Sequence, residues 1–239
     1  MFINAYQKIS RGKNQTTFDD YKILLKNIGT TTRRIHFTGF TEPLLNPEWY
    51  NIMKYTIDSG YRVVCSTTLY QATAEDAKRL AQLNVKVGIH LTDSSLHIDP
   101  QIYQEFIRWS GRKIILNSFT KKGQQRALKI CQDKKTKHRP KVIQNRAGNL
   151  PQGVCIIHEP VRCSENRQYS NVVLPNGDVV LCCQDFGLTQ IIGNLFEATL
   201  QEIHHSERMH EILKEMNSSQ NDSFICKQCS YYARRLQDV

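Results

Sequence analysis

Apolar and polar positions alternate along this chain in two rhythms, one of helical spacing and one of short apolar runs. Thr17 to Asp20 opens a helix with a capping-box-like pattern. Phe18, Tyr21, Leu25 and Ile28 then fall on one face before Gly29 ends it. A short strand is expected at 34–38. Asn46-Pro47 opens the next helix, with Trp49, Ile52, Met53 and Thr56 along a face and Gly60 as its stop. The same alternation continues with a strand at 61–66, a helix capped by Thr73 and Asp76, and a strand at 85–91. A helix from Asp99-Pro100 follows, carrying Ile102, Tyr103, Phe106 and Trp109, then a strand at 113–117, a helix at 124–131 and a strand at 141–144. Residues 1–15 read as polar loop.

Strand and helix in turn predict a parallel sheet covered by helices. The strands are short and mostly apolar, which predicts burial on both faces. No Gly-x-Gly-x-x-Gly follows any strand, which argues against a dinucleotide fold. The expected class is therefore α/β, as a partial (β/α) barrel over 1–150 followed by a small cysteine-rich domain over 151–239. In such sheets functional residues gather at the C-terminal strand ends, which makes Thr92, Asp93, Asn117 and Ser118 positional candidates. His36 and His90 lie within strands and read as buried structural histidines. His204 and His205 lie on a helix opened by Thr199 and Glu202 and read as surface.

Composition narrows the class. The 239 residues are 40% hydrophobic, with a mean hydropathy of −0.48, as in ordinary globular chains. No apolar run approaches the ~20 residues of a membrane span, and the first residues lack the apolar segment of a secretory signal. Eight cysteines without such a signal favour a reducing cytoplasm and metal or redox use over disulfides. The formal charge of +10 permits an acidic partner. The densest basic run, residues 134–141, reads as a solvated loop. It has no interleaved aromatics on which bases could stack, which argues against nucleic acid.

The cysteines supply the chemistry. Cys163 is followed by thirteen residues, Gly177, four residues and Cys182; far downstream come Cys226 and Cys229, two residues apart. Between the first two lies Asn176-Gly177 flanked by β-branched runs, a hairpin signal that would fold Cys163 and Cys182 together. A Cys-x-x-Cys can grip one ion or cluster. Cys183 follows Cys182 directly, and adjacent strand residues face opposite ways, so one of the two is the expected ligand. Four thiolates suit tetrahedral zinc or an iron–sulfur cluster, and spacing alone leaves both open. Cys65, Cys131 and Cys155 are isolated and read as buried structural thiols.

This cysteine pattern, with Gly177-Asp178-Val179 ahead of Cys182-Cys183-Gln184-Asp185 and then Ile192-Gly193-Asn194-Leu195, resembles the SPASM/twitch domain of radical S-adenosylmethionine enzymes. The resemblance implies one auxiliary 4Fe–4S cluster held by Cys163, Cys182, Cys226 and Cys229, with Cys183 as substitute. Residues 38–47 resemble that family's Gly-x-Gly-Glu-Pro-Leu segment, so Gly39, Thr41, Glu42 and Pro43 would hold the methionyl group of S-adenosylmethionine. Thr41 stands where a glycine is usual. Residues 145–149 resemble the family's Arg-Ala-Gly-Asn segment, which would place Arg146 at the cofactor rim, where it could meet a carboxylate bidentately. The family's catalytic cluster hangs from a Cys-x-x-x-Cys-x-x-Cys, which these 239 residues do not contain. The expectation is a chain that starts just after that segment, truncated or cut. It would bind the auxiliary cluster without making the 5′-deoxyadenosyl radical with which the intact family abstracts a substrate hydrogen. An electron donor and a peptide, sugar or small-metabolite substrate would be the partners. The alternative is a non-catalytic zinc module whose basic surface binds an acidic partner.

Overall fold

The computed structural model describes residues 14–38, 40–91, 100–110, 114–118, 120–130, 136–141, 147, 156–164, 167–229 and 233–235. The chain forms two compact units, one of residues 32–143 and one combining 1–31 with 144–239.

The first unit is built on a five-stranded sheet. Its strands are β1 (Arg34–Phe37), β2 (Arg62–Thr67), β3 (Val85–Leu91), β4 (Ile114–Ser118) and β5 (Thr136–Pro140). They lie side by side in chain order and every pair is parallel. Helices α2 (Trp49–Asp58), α3 (Ala74–Gln82), α4 (Pro100–Ser110) and α5 (Lys121–Ile130) link them. Among the described residues β1 and β5 each pair with one strand only, so the sheet is open and no closed barrel forms.

Burial on the sheet is one-sided rather than two-sided. Val63, Cys65, Val85, Val87, Ile89, Leu91 and Leu116 enter one core with Trp49, Met53, Ala77, Leu80, Tyr103 and Phe106 from the helices. The residues between them on the strands stay exposed or half-buried, among them Arg62, Val64, Lys86 and Gly88. Helices therefore cover one face, and the strands alternate as half-buried strands do. Thr73 caps α3 through a reciprocal box with Asp76, as its spacing predicts.

The sheet's last strand departs from expectation. The basic run read as a loop contains β5, at Thr136–Pro140, while 142–144 lie outside the described residues. An edge strand tolerates polar side chains and proline, because one of its sides needs no ladder partner. His138 and Ser118 share a hydrogen bond of 2.6 Å between ring Nε2 and Oγ.

The second unit contains α1 (Phe18–Ile28), two small sheets and two helices. Strands β7 (Val172–Val173), β8 (Asp178–Val180) and β9 (Ile191–Asn194) form an antiparallel meander. Strand β6 (Val161–Cys163) pairs with β10 (Ala233–Arg235). The β7–β8 turn is the Asn-Gly turn that the sequence predicts. Gly177 has φ +85°, and a Cβ there would lie 2.4 Å from the Phe196 ring, so no other residue fits. Helix α6 (Leu200–His204) and helix α7 (Glu207–Met216) replace one expected helix. The break falls at Ser206, whose hydroxyl accepts from Met209 N and caps α7.

Helix α1, expected as the first element of a 1–150 sheet domain, packs instead in the cysteine-bearing unit. It contacts α6, and Asn27 Nδ2 donates to Leu195 O at 2.7 Å. Its apolar face was legible, but a periodic face does not state which core it enters.

Candidate metal centre

Three separate segments bring thiols to one place. Cys163 ends β6. Cys182 follows β8 directly after the fully buried Leu181. Cys226 and Cys229 come from a run of tight turns at 224–229, in which Lys227 N, Gln228 N and Cys229 N each donate three residues back. That pitch sets both thiols on one side of the loop.

Buried polar groups hold these loops. Asp185 is fully buried. Its carboxylate accepts from Thr189 N at 3.0 Å, Thr189 Oγ1 at 3.1 Å and Gln190 N at 2.7 Å, which closes the loop after Cys182. Asn171 Nδ2 donates to Leu181 O at 2.8 Å, and its Oδ1 is bonded to His204 Nε2 at 2.7 Å. His204 is thus no surface group: its ring also meets Tyr169 edge-on, and burial lowers its pKa. Lys227, in the Cys-x-x-Cys spacer, is fully buried. Its ammonium donates to Glu159 O, while Ile157 N donates to Lys227 O at 2.9 Å. The pair of bonds straps residues 157–159 to the thiol loop. The spacer lysine is a strut.

Cys163, Cys182, Cys226 and Cys229 line a common cavity of about 30 Å³, measured as the space open to the centre of a water molecule. Val161, Leu181, Met216 and Ile225 complete an apolar wall. Cys183 does not line it; Gln184 Nε2 donates to its sulfur at 3.8 Å. The Cys182 sulfur accepts from Gln184 N at 3.4 Å. Burial among apolar walls pushes the Cys182 thiol up to about 12, partly offset by the Gln184 and Asp185 N–H groups. Burial also pushes Cys226 well up, and the neighbouring thiols add to it. Without a cation Cys182 and Cys226 stay protonated. A bound cationic centre takes the protons off.

The donor set bears on the two candidate groups. Among the described residues no three His, Cys, Asp or Glu side chains are placed to hold one ion. A single zinc about 2.3 Å from each sulfur would draw the four together. A cube of iron and sulfide holds its thiolates farther apart, around a volume. A ring of four thiols about an apolar cavity is a donor set that an iron–sulfur cluster or a four-cysteine zinc could use.

The second predicted site lies at the C-terminal end of β1. Gly39 and Arg146 are outside the described residues, as are Thr92 and Asp93. Thr41 is exposed, and Pro43 opens a 3-10 turn, Pro43–Leu45, capped by Glu42. Glu42 is engaged. Its Oε1 accepts from Thr67 Oγ1 at 2.5 Å and Leu44 N at 3.3 Å. Its Oε2 accepts from Thr68 N and Thr68 Oγ1, both at 2.7 Å. A carboxylate has about four lone-pair sites, and these bonds take them. Glu42 clamps its loop to the end of β2, and the residues that sequence reasoning missed are Thr67 and Thr68. Their signal was two hydroxyls at a strand end beside a strand-end glutamate. The chain just beyond holds Leu69 and Gln71 at φ 60° and 57°, backbone strain of the kind that clusters at functional sites. Asn117 and Ser118 are buried. His36 is exposed and His90 half-buried, so neither is the buried core histidine expected.

Comparison with known proteins joins this geometry. Residues 163–230 match the SPASM family, an iron–sulfur cluster-binding domain. No curated protein matches the chain in sequence. Among solved structures, BtrN in complex with AdoMet and 2-DOIA superposes with a TM-score of 0.62 at 19% identity, over 90% of this chain and 80% of that one. BtrN in an open conformation superposes at 0.56 and 16% identity, over 94% and 86%. At these identities the match is one of fold. The resemblance to a SPASM domain therefore stands in the cysteine segment, and the solved structures add a likeness of fold along the chain. Among the described residues no helix is long and apolar enough to cross a membrane.

Proposed function

We propose that the chain, which carries a SPASM iron–sulfur domain over 163–230, holds one auxiliary 4Fe–4S cluster through Cys163, Cys182, Cys226 and Cys229. The observation that carries the reading is the meeting of four thiols from three segments around one apolar cavity. Cys183 is left as a neighbour bonded to Gln184. Lys227 and Asp185 keep the thiol loops in place, and the apolar wall excludes water from the centre.

The sheet unit, on this reading, takes S-adenosylmethionine at the C-terminal ends of its strands. Gly39, Thr41 and Pro43 would offer backbone to the methionyl group. Glu42 serves by fixing the loop through Thr67 and Thr68. When reduced by a second cluster, that cofactor supplies hydrogen-atom abstraction from a substrate. The 239 residues contain no Cys-x-x-x-Cys-x-x-Cys to hold such a cluster. An electron donor and a reducing compartment belong to the same reading.

The test is anaerobic purification with iron, sulfide and zinc measured and an absorbance spectrum recorded. About four irons per chain with broad absorbance near ~400 nm, lost in Cys226→Ala and kept in Cys183→Ala, is the expected result. One zinc per chain without visible colour would overturn it in favour of a structural zinc module.

A further inference from the structure

The sheet has a second face, and its chemistry is uniform. None of β1 to β5 contains an aspartate or glutamate. Parallel register assigns each residue to a face. Helices cover the face of Val63, Cys65, Val87, Ile89 and Leu116. The opposite face carries Arg34 in register with Arg62, then Val64 with Lys86, Ser66 with Gly88, and His90 with Asn117 and Arg139. Arg34, Arg62, Lys86 and Arg139 are exposed. No carboxylate among the described residues is recorded in an ion pair with any of the four. Arg34 and Arg62 are like charges side by side on neighbouring strands, which is unfavourable, and the face as a whole is cationic.

The C-terminal row is the most built part of it. Asn117 is 7% exposed, and its Nδ2 lies over Gly88, where a Cβ would come within 3.2 Å. Gly88 leaves room for the amide. Beside it in register stand His90 on one strand and Arg139 on the other. Among the described residues the carboxylate at this end of the sheet, Glu42, is already occupied by Thr67, Thr68 and Leu44. The basic run that read as a solvated loop acquires a use here: as β5 it turns Arg139 onto the helix-free face and His138 to Ser118 on the other.

The geometry points to a binding site on the helix-free face for a small anionic molecule bearing phosphate or carboxylate. Arg139 is its anchor, Asn117 its neutral donor, and Lys86 a source of field. Calling that molecule the substrate rests on the proposed function; the binding itself does not. Arg139 presents a planar fork that matches either oxyanion bidentately.

The test uses the full chain as purified, with its iron content measured. Inorganic phosphate and succinate are titrated separately by calorimetry, at low and at physiological salt. Saturable binding of one of them is expected, and which one binds tells phosphate from carboxylate recognition. Arg139→Gln should weaken it about tenfold, and Lys86→Gln by a smaller factor. Arg139→Lys should retain part of the affinity if charge dominates. Lys54→Gln and Lys214→Gln, both exposed and outside this sheet face, should change it less than about twofold. Circular dichroism on each variant checks folding. Absence of saturable binding overturns the inference. So does an equal loss in all the lysine and arginine variants, which would report only the net charge of +10. Anion binding with no iron would retain this inference and overturn the cluster; iron without anion binding would do the reverse.

Discussion

The two units reach order by different means. The sheet unit has a continuous apolar core in which Leu80, Ile89 and Leu116 are fully buried. The cysteine unit packs Val179, Val180, Leu181, Leu195 and Met209 as tightly, but the walls of its cavity are held by Asp185, Asn171 and Lys227. Apolar packing tolerates some adjustment, because its attraction has no direction. Buried polar bonds do not, because a lost partner leaves a group with nowhere to turn. The sheet unit should respond to truncation in proportion to volume. The cysteine unit should respond to single polar atoms, and its metal content should follow.

The sharpest test is Asp185→Ala. It leaves three donors without their acceptor in a buried loop, at about 1–3 kcal/mol each. Denaturant unfolding should show a loss of several kcal/mol, and iron per chain should fall with it. A stable, fully loaded variant would erase the contrast. Leu80→Ala, in the other core, should cost about 2–5 kcal/mol and leave iron per folded chain unchanged.

A third test uses pH on the metal-free protein. The Cys182 thiol is raised from 9.0 to about 12 in the folded state, so between these values the folded chain binds more protons than the unfolded one. Stability is therefore full below about pH 9 and falls as pH rises towards about 12. Cys182→Ala should flatten that slope in urea melts recorded across the range. Glu42→Gln is milder. It keeps the shape but replaces one acceptor oxygen with a donor, at about 1–2 kcal/mol, visible as a lower midpoint with iron unchanged. Thr73→Ala, which removes only the cap of α3, should cost about 1 kcal/mol and set the floor of the series.

Much of the fold was legible in the sequence, because each of these signals is local. Thr73 with Asp76 states a helix start, Val85 to Leu91 a strand, and Asn176-Gly177 a turn in the cysteine unit. The strand Thr136–Pro140 was not legible: Lys137, His138 and Arg139 look solvated, and only an available edge on β4 makes them a strand. The site divides in the same way. The spacing of Cys163, Cys182, Cys226 and Cys229 named the thiols, yet left Cys182 and Cys183 equal. Glu42 was visible as a strand-end carboxylate, while its engagement by Thr67 and Thr68, some 25 residues on, was not.

By itself, then, the sequence determined the order of strands and helices, the hairpin, and the identity of the thiols. These follow from rules that act over a few residues: periodicity, capping and the demand of Gly177 for a left-handed backbone. Tertiary structure alone decided that α1 joins the cysteine unit, that Lys227 is a buried strut, that Cys182 rather than Cys183 faces the cavity, and that one sheet face is left cationic. Those outcomes depend on which surfaces meet and which polar groups find partners far away along the chain, and no local pattern encodes that choice.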